Sequence, residues 1–261
     1  MNVVLTLTTI PTRLSNVDAD GIRSCVASLT NQTFEEYEIH FNIPEVCLNT
    51  DERYELPEWI LDYDPRLKIF RTRDLGSITK LVPTLERVSD PETIIILCDD
   101  DLVYDRKMVE EQVQNQSRFF GAAVGYDGMR VKEPVFHDPR DHYFTSHRCN
   151  AEVYILQGYK TVSFRREYFG QNFFDDFVGR SWSDDLVISA YLASKQIPRI
   201  VTYHESDPVL DSLEDWQQRG GVETFPVIRH TVHEQWEGCN LYRHEGVDEN
   251  DPWLWEHLDR N

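Results

Sequence analysis

The chain has 261 residues, 40 % of them apolar, enough to build one large α/β domain or two small ones around a real core. Its 26 basic and 46 acidic side chains leave a net charge of −20, which repels nucleic-acid phosphates and anionic lipid surfaces, so no nucleic-acid partner is expected. The same negative excess suits a protein that must recruit a cation before it can hold a phosphorylated ligand.

Val3 to Thr9 reads as the first strand, closed by Ile10 and Pro11. The apolar start from Met1 to Ile10 lacks a basic opening and meets Pro11 at once, so it is not expected to be a signal peptide. Ile22, Val26 and Leu29 recur at helical spacing. Glu38 to Ile43 is a second strand, ended by Pro44, and Leu67 to Thr72 a third. Thr79 to Val88 has a helical pattern that tolerates Pro83 only in its first turn. Thr93 to Cys98 is a fully apolar strand, and Lys107 to Phe119 a helix. Strands alternating with helices predict a mainly parallel sheet covered on both faces, with ligands beyond the carboxyl ends of the strands.

The second half is less regular. Ala151 to Leu156 and Lys160 to Phe164 read as strands around Gly158. Asp184 to Lys195 reads as a helix with Val187, Ala190 and Tyr191 on one face, followed by a strand from Ile200 to Tyr203. After Asp207 the chain is acidic, rich in tryptophan and without a legible pattern. No repeat or linker divides it. The expectation is therefore a single domain over residues 1–261, with a nucleotide-binding half over about 1–120 and an acceptor-side half over about 121–261.

Cys25, Cys47, Cys98, Cys149 and Cys239 make an odd count with no CxxC pair, which predicts reduced thiols, a cytoplasmic setting and no zinc site. Nowhere do 18 apolar residues run together, so no membrane span is expected.

The chemistry concentrates at Asp99-Asp100-Asp101, delivered to the sheet edge by the apolar run before it. In an extended backbone Asp99 and Asp101 would point one way and Asp100 the other. Three adjacent carboxylates repel one another, and a divalent cation lowers that cost. All-oxygen ligands suit Mg²⁺ or Mn²⁺, which can bridge to a diphosphate and carry charge on a departing nucleotide. The plainer alternative is a solvated acidic turn or the start of a helix at Leu102.

Other groups share that edge. Thr8-Thr9-Ile10-Pro11-Thr12-Arg13 offers hydroxyls and a guanidinium after the first strand. Asp74-Leu75-Gly76-Ser77-Ile78-Thr79-Lys80-Leu81 offers a glycine that lets backbone approach a ligand and a lysine that can meet a phosphate. Ser181-Trp182-Ser183-Asp184-Asp185 precedes a helix, for which Ser183 is a good N-cap and the acids complement the dipole. The same segment could supply a general base from Asp184 or Asp185, with Trp182 stacking on a sugar of the acceptor. Of His204, His230 and His233, one could add a metal ligand, although an ordinary surface or core histidine describes each of them as well.

Taken in order, these pieces, together with the Ser28-Leu29-Thr30-Asn31-Gln32 helix end, resemble the GT-A-fold nucleotide-sugar glycosyltransferases of the family-2-like group, in particular its short single-domain enzymes. The resemblance covers about residues 3–203, and the triplet is similar to the DxD motif. It implies a Rossmann-like α/β fold and transfer of a sugar from a nucleoside diphosphate sugar, by analogy UDP-linked, to a carbohydrate or glycan hydroxyl. It implies that Thr8, Thr9, Arg13, Asp74, Gly76 and Lys80 line the nucleotide pocket and that Asp99 and Asp100 face ribose and donor sugar. Asp101, with Asp99, would ligate Mn²⁺ or Mg²⁺. Asp185 would be the base of an inverting transfer and Asp184 a contact to hydroxyls. The family usually has Glu-Asp where this chain has Asp184-Asp185, so the choice between the two stays open. The usual acid after the second strand is replaced by Asn42-Ile43-Pro44.

Two other readings compete. Asp99-Asp100-Asp101-Leu102-Val103 fits the DxDxV nucleophile of haloacid-dehalogenase-type phosphohydrolases, but that nucleophile normally sits on the first strand, with its lysine after it. The aromatics and acidity also permit a non-catalytic carbohydrate-binding protein.

Overall fold

The computed structural model describes residues 2–15, 21–131, 142–146, 150–178, 183–204 and 209–212. Its strands, in chain order, are β1 (Val3–Leu7), β2 (Glu38–Pro44), β3 (Leu67–Thr72), β4 (Ile94–Leu97), β5 (Leu102–Tyr104), β6 (Ala123–Gly125) and β7 (Asp127–Val131), then β8 (His142–Ser146), β9 (Ala151–Glu152), β10 (Ile155–Leu156), β11 (Val162–Arg165), β12 (Arg199–Val201) and β13 (Val209–Ser212). The helices are α1 (Pro11–Ser15), α2 (Gly21–Thr30), α3 (Glu58–Leu61), α4 (Val82–Arg87), α5 (Met108–Arg118), α6 (Gln171–Asp176) and α7 (Asp184–Ser194).

Eight strands form the main sheet in the order β3-β2-β1-β4-β11-β6-β12-β9. The first four run parallel, with Leu5 opposite Ile39 on one side and Ile96 on the other. β11 enters antiparallel between β4 and β6, and β12 returns parallel to β6. The sheet is therefore mixed but mainly parallel in its front half, as expected.

The central strands β1 and β4 are buried on both faces, which is why β4 is continuously apolar, whereas the outer strand β3 carries Lys68 and Arg71 and is only partly covered. Along β4, Ile94 and Ile96 belong to a core formed with Leu5, Leu7, Phe41 and the apolar side of α2, made of Ile22, Cys25, Val26 and Leu29. Ile95 and Leu97 point into a second core with Val162, Phe164, Phe169, Phe173 and Tyr191. The period of two thus places successive isoleucines on opposite sides of the sheet.

Several elements differ from the sequence reading for local reasons. The helical pattern from Thr79 breaks into a 3₁₀ turn at Ile78–Lys80 and then α4, which carries Pro83 in its first turn, where no backbone donor is needed. Leu102 begins a strand rather than a helix, and β5 pairs with β13, beyond the point where the sequence pattern is lost. The run from Ala151 to Leu156 divides: β9 joins the main sheet, and β10 joins a three-stranded sheet with β7 and β8.

Along the parallel half the chain builds β1, β2 and β3 outward in one direction, then crosses to place β4 on the other side of β1. The carboxyl ends of β1 and β4 therefore flank the reversal of strand order, where sheets of this kind open a crevice for ligands.

Candidate active site

Both strands that flank the crevice end in polar residues, and these meet. Thr9 follows β1, and its hydroxyl donates to Asp100 Oδ2 at 2.5 Å. Arg13, carried on α1, spans two members of the triplet, reaching Asp100 Oδ1 at 2.6 Å and Asp101 Oδ2 at 3.2 Å. The third member turns elsewhere, with Lys80 Nζ lying 2.5 Å from Asp99 Oδ1. An extended backbone would have sent Asp100 away from both neighbours. Instead Asp100 and Asp101 lie in a turn after β4, so these two share one guanidinium while Asp99 faces the lysine.

The turn is fixed from beneath. The Asp99 amide donates to the Tyr104 hydroxyl at 2.7 Å, and the Cys25 thiol donates to the Asp99 carbonyl at 3.3 Å. Burial pushes Asp100 up to about 6, against the pull of Arg13 and Thr9. Burial also raises the Cys25 and Cys98 thiols, and Cys25, Cys47 and Cys98 are free. Cys149 and Cys239 lie outside the described residues.

Lys80 joins the triplet to the second acidic pair. The same Nζ lies 2.8 Å from Asp184 Oδ2 at the start of α7, and the lysine is only 7 % exposed. Burial alone would lower its proton affinity, but Asp184, Asp99 and Asp185 together hold it well above the ordinary lysine value. Its partners then part company. Burial raises Asp184, yet the contact with Lys80 outweighs it and leaves that carboxyl below the usual range. Asp185 has burial and the Asp184 charge acting in the same direction, and is pushed up to about 8. Two adjacent carboxyls held in opposite protonation states are a recurring sign of divided acid–base roles.

Thr8, Asp74 and Gly76 follow the carboxyl ends of β1 and β3 but do different work. Thr8 donates to the Asn42 carbonyl at 2.8 Å. Asp74 is spent on joining two loops: Oδ1 accepts from the Gly76 amide at 2.8 Å, and Oδ2 from the Leu48 amide, after β2, at 2.8 Å. Gly76 has φ 72°, a left-handed conformation that explains the glycine. Asn42, standing where an acid was expected, is fully buried and donates to the Lys80 carbonyl at 3.1 Å, to Thr6 Oγ1 at 3.0 Å and to Thr84 Oγ1 at 3.0 Å. It supports Lys80 from below rather than facing a ligand. Ser183 stands at the N-cap of α7 without a side-chain cap bond. Ser77 serves instead, its hydroxyl accepting from the Asp184 amide at 3.2 Å. Trp182, His230 and His233 lie outside the described residues, while the His204 ring packs edge-on against Tyr126 at 5.0 Å.

Sequence reasoning gave no site role to Ser77, to Asn42 or to Gly158, whose amide donates to Asp185 Oδ1 at 2.8 Å. Gly158 was legible only as a break between strands. Among the described residues no three His, Cys, Asp or Glu side chains gather into a metal cage, and no helix is long and apolar enough to cross a membrane. A separate cleft at the opposite ends of the strands, lined in part by Asn2, Glu38, His40, Arg87 and Asp90, contains none of these residues.

A mainly parallel Rossmann-like sheet of this order has the GT-A fold, and comparison with known proteins agrees. The sequence model of glycosyl transferase family 2 matches residues 9–177, and the chain belongs to that family. The crystal structure of residues 1–349 of S. aureus TarS superimposes with a TM-score of 0.52 at 10 % identity, covering 91 % of this chain and 74 % of that one. A longer crystal structure of S. aureus TarS gives 0.50 at 11 % identity, covering 88 % of this chain, which spans 43 % of the length of that one. At such identities the likeness concerns the fold. No curated protein matches the sequence. Family membership sets aside the phosphohydrolase reading of the triplet. The matched segment contains Thr9, Arg13, Lys80 and the triplet but stops before Asp184 and Asp185.

Proposed function

We propose that the protein is an inverting glycosyltransferase that moves a sugar from a nucleoside diphosphate sugar, of which a UDP-sugar is the first to test, to a carbohydrate hydroxyl. The observation that carries this reading is Lys80, which contacts Asp99 of the triplet and Asp184 of the second pair at once. It links a donor-side cluster to a base-side cluster across the crevice. The adjacent carboxyl, pushed up to about 8 by burial and by Asp184, favours a proton-transfer role over sugar binding alone.

On this reading Thr9, Arg13 and the triplet receive the nucleotide sugar, with its ribose and sugar hydroxyls toward Asp99 and Asp100. The acceptor hydroxyl enters beside α7 and gives its proton to Asp185, whose proton affinity lies near the working pH, where a general base is most effective. Asp184 stays ionised beside Lys80 and accepts hydrogen bonds from hydroxyl groups. Lys80 stands close enough to the triplet to steady negative charge as it builds on the leaving diphosphate, an effect stronger in the transition state than before it.

The donor atoms at the triplet are all oxygen, which fits a hard divalent cation. Such cations are commonly held by one or two carboxylates plus substrate phosphates, so a three-residue cage is not required. Asp101, with Asp99 as the second candidate, would hold Mn²⁺ or Mg²⁺ there, and the ion would supply positive charge opposite the diphosphate.

The stereochemistry of the product tests the reading. Proton NMR of the glycoside formed from an α-linked UDP-sugar should show a β-anomer. An α-anomer would rule out a single displacement assisted by Asp185.

A further inference from the structure

The short turn Gln157–Thr161 is held in place far more firmly than a surface connection needs. The Gln157 amide donates to the Asp127 carbonyl at 3.0 Å, and the Tyr159 hydroxyl donates to Asp127 Oδ2 at 2.6 Å. The turn closes on itself through the Thr161 amide, which donates to the Gly158 carbonyl at 2.9 Å. Thr161 then adopts φ 86° and ψ 141°, a region that glycine occupies and a β-branched residue avoids. What holds it there is a buried relay from α5. Gln112 Nε2 donates to Thr161 Oγ1 at 2.7 Å, and Gln112 Oε1 accepts from Ser163 Oγ at 2.6 Å. Gln112, Thr161 and Ser163 are all fully buried.

The product of this bracing is one contact. Gly158 aims its amide at Asp185 Oδ1 from 2.8 Å. A methyl group at Gly158 would stand 3.0 Å from that same oxygen and 3.8 Å from Asp184 Oδ2. A side chain at Gly158 would therefore press on this carboxyl unless the carboxyl shifted, and Thr161, three positions on, holds the strained conformation that closes the turn. Strained backbone that persists against its own cost is a mark of a working site.

We propose that the turn Gln157–Thr161 positions Asp185: Gly158 fixes Oδ1 of that carboxyl and leaves Oδ2 to meet the acceptor hydroxyl, while Thr161 and Gln112 anchor the turn from behind. Gly158, Thr161 and Gln112 are positioning residues that act through Asp185, so the inference rests on the reading of Asp185 as the base. The groups facing Asp185 are Asp184 beside it, Lys80 and Asp99 across the crevice, and the Gly158 amide.

The first test needs no substrate. Melting temperature is followed against pH for the parent chain, Gly158→Ala, Asp185→Asn and the double variant. The difference between each chain and its Asp185→Asn counterpart isolates the titration of Asp185. A displaced amide stabilises the carboxylate less, so the midpoint of that difference should move to higher pH in Gly158→Ala. Thr161→Val, which keeps the shape and removes only the hydroxyl that Gln112 holds, should move it the same way by less. It also decides the matter should Gly158→Ala not fold. In turnover, Gly158→Ala should lower kcat about 10- to 100-fold with the donor KM unchanged, and should add no loss in the Asp185→Asn background. An unmoved midpoint in both variants, or losses that add to those of Asp185→Asn, would overturn the positioning role. Parent and Asp185→Asn curves of identical shape would instead overturn the reading of Asp185 itself.

Discussion

At the scale of single residues, the site turns on why two neighbouring aspartates behave differently. Asp184 meets Lys80, which keeps its carboxyl below the usual range, whereas Asp185, half-buried beside that charge, accepts from the Gly158 amide and is pushed up to about 8 by burial and by Asp184. Because the unfolded carboxyl titrates near 3.8, the native state binds one more proton between that value and about 8. Stability must therefore fall as pH rises through this window, and Asp185→Asn should remove that slope and melt higher than the parent at pH 8. Differential scanning fluorimetry across pH 5 to pH 9 checks this; equal melting temperatures at every pH would contradict it. The same proton must leave before Asp185 can act as a base. In consequence kcat/KM should climb with pH and level off above about 8, and Asp185→Asn should lower turnover about 10²- to 10⁴-fold. The sequence displays Asp184-Asp185 plainly but not which of them is the base. That depends on Lys80 and on Gly158, 27 positions from Asp185, and neither contact leaves a trace in local spacing.

Among elements, the strands were the legible part. A run such as Ile94-Ile95-Ile96-Leu97 with no polar break admits one reading, a strand buried on both faces, and β1 to β4 all lie close to their expected limits. The illegible part is what long-range contacts decide. The cap of α7 comes from Ser77, 107 positions from the amide it caps, although Ser183 is the local candidate. β5 exists because β13 pairs with it, and three residues ahead of a helix carry no strand signal of their own. Asn42 is the instructive case. Judged by position it stands where an acid was expected, yet it supports Lys80 through bonds to Thr6, Thr84 and the Lys80 carbonyl, and accepts a bond from Arg87. Asn42→Leu should therefore orphan several buried polar groups and cost at least about 2 kcal/mol in urea unfolding, while also weakening donor binding through Lys80. A loss of stability under about 0.5 kcal/mol, the range of an ordinary surface change, would show that this network does not support the site.

For the molecule as a whole, the order of strands does most of the functional work. Building β3-β2-β1 in one direction and then placing β4 beyond β1 sets Thr9, Arg13 and Asp100 at the point of strand reversal, where sheets of this kind bind their ligands. The fold therefore selects where a donor can sit, while side chains choose what happens to it. A chain of net charge −20 is a poor host for a diphosphate unless positive charge is assembled at one point. Arg13 and Lys80 supply two such charges, and both are already engaged with the triplet. A further cation should therefore accompany the donor. The direct measurement is a thermal-shift panel of UDP-, GDP- and dTDP-sugars with and without Mn²⁺, run on the parent chain and on Asp101→Ala. One class of donor should raise the melting temperature of the parent only when Mn²⁺ is present, and Asp101→Ala should keep the parent's melting temperature but lose that increment. Stabilisation by a nucleotide sugar that is the same without metal, or that survives in Asp101→Ala, would contradict the claim that the triplet holds a divalent ion against the donor.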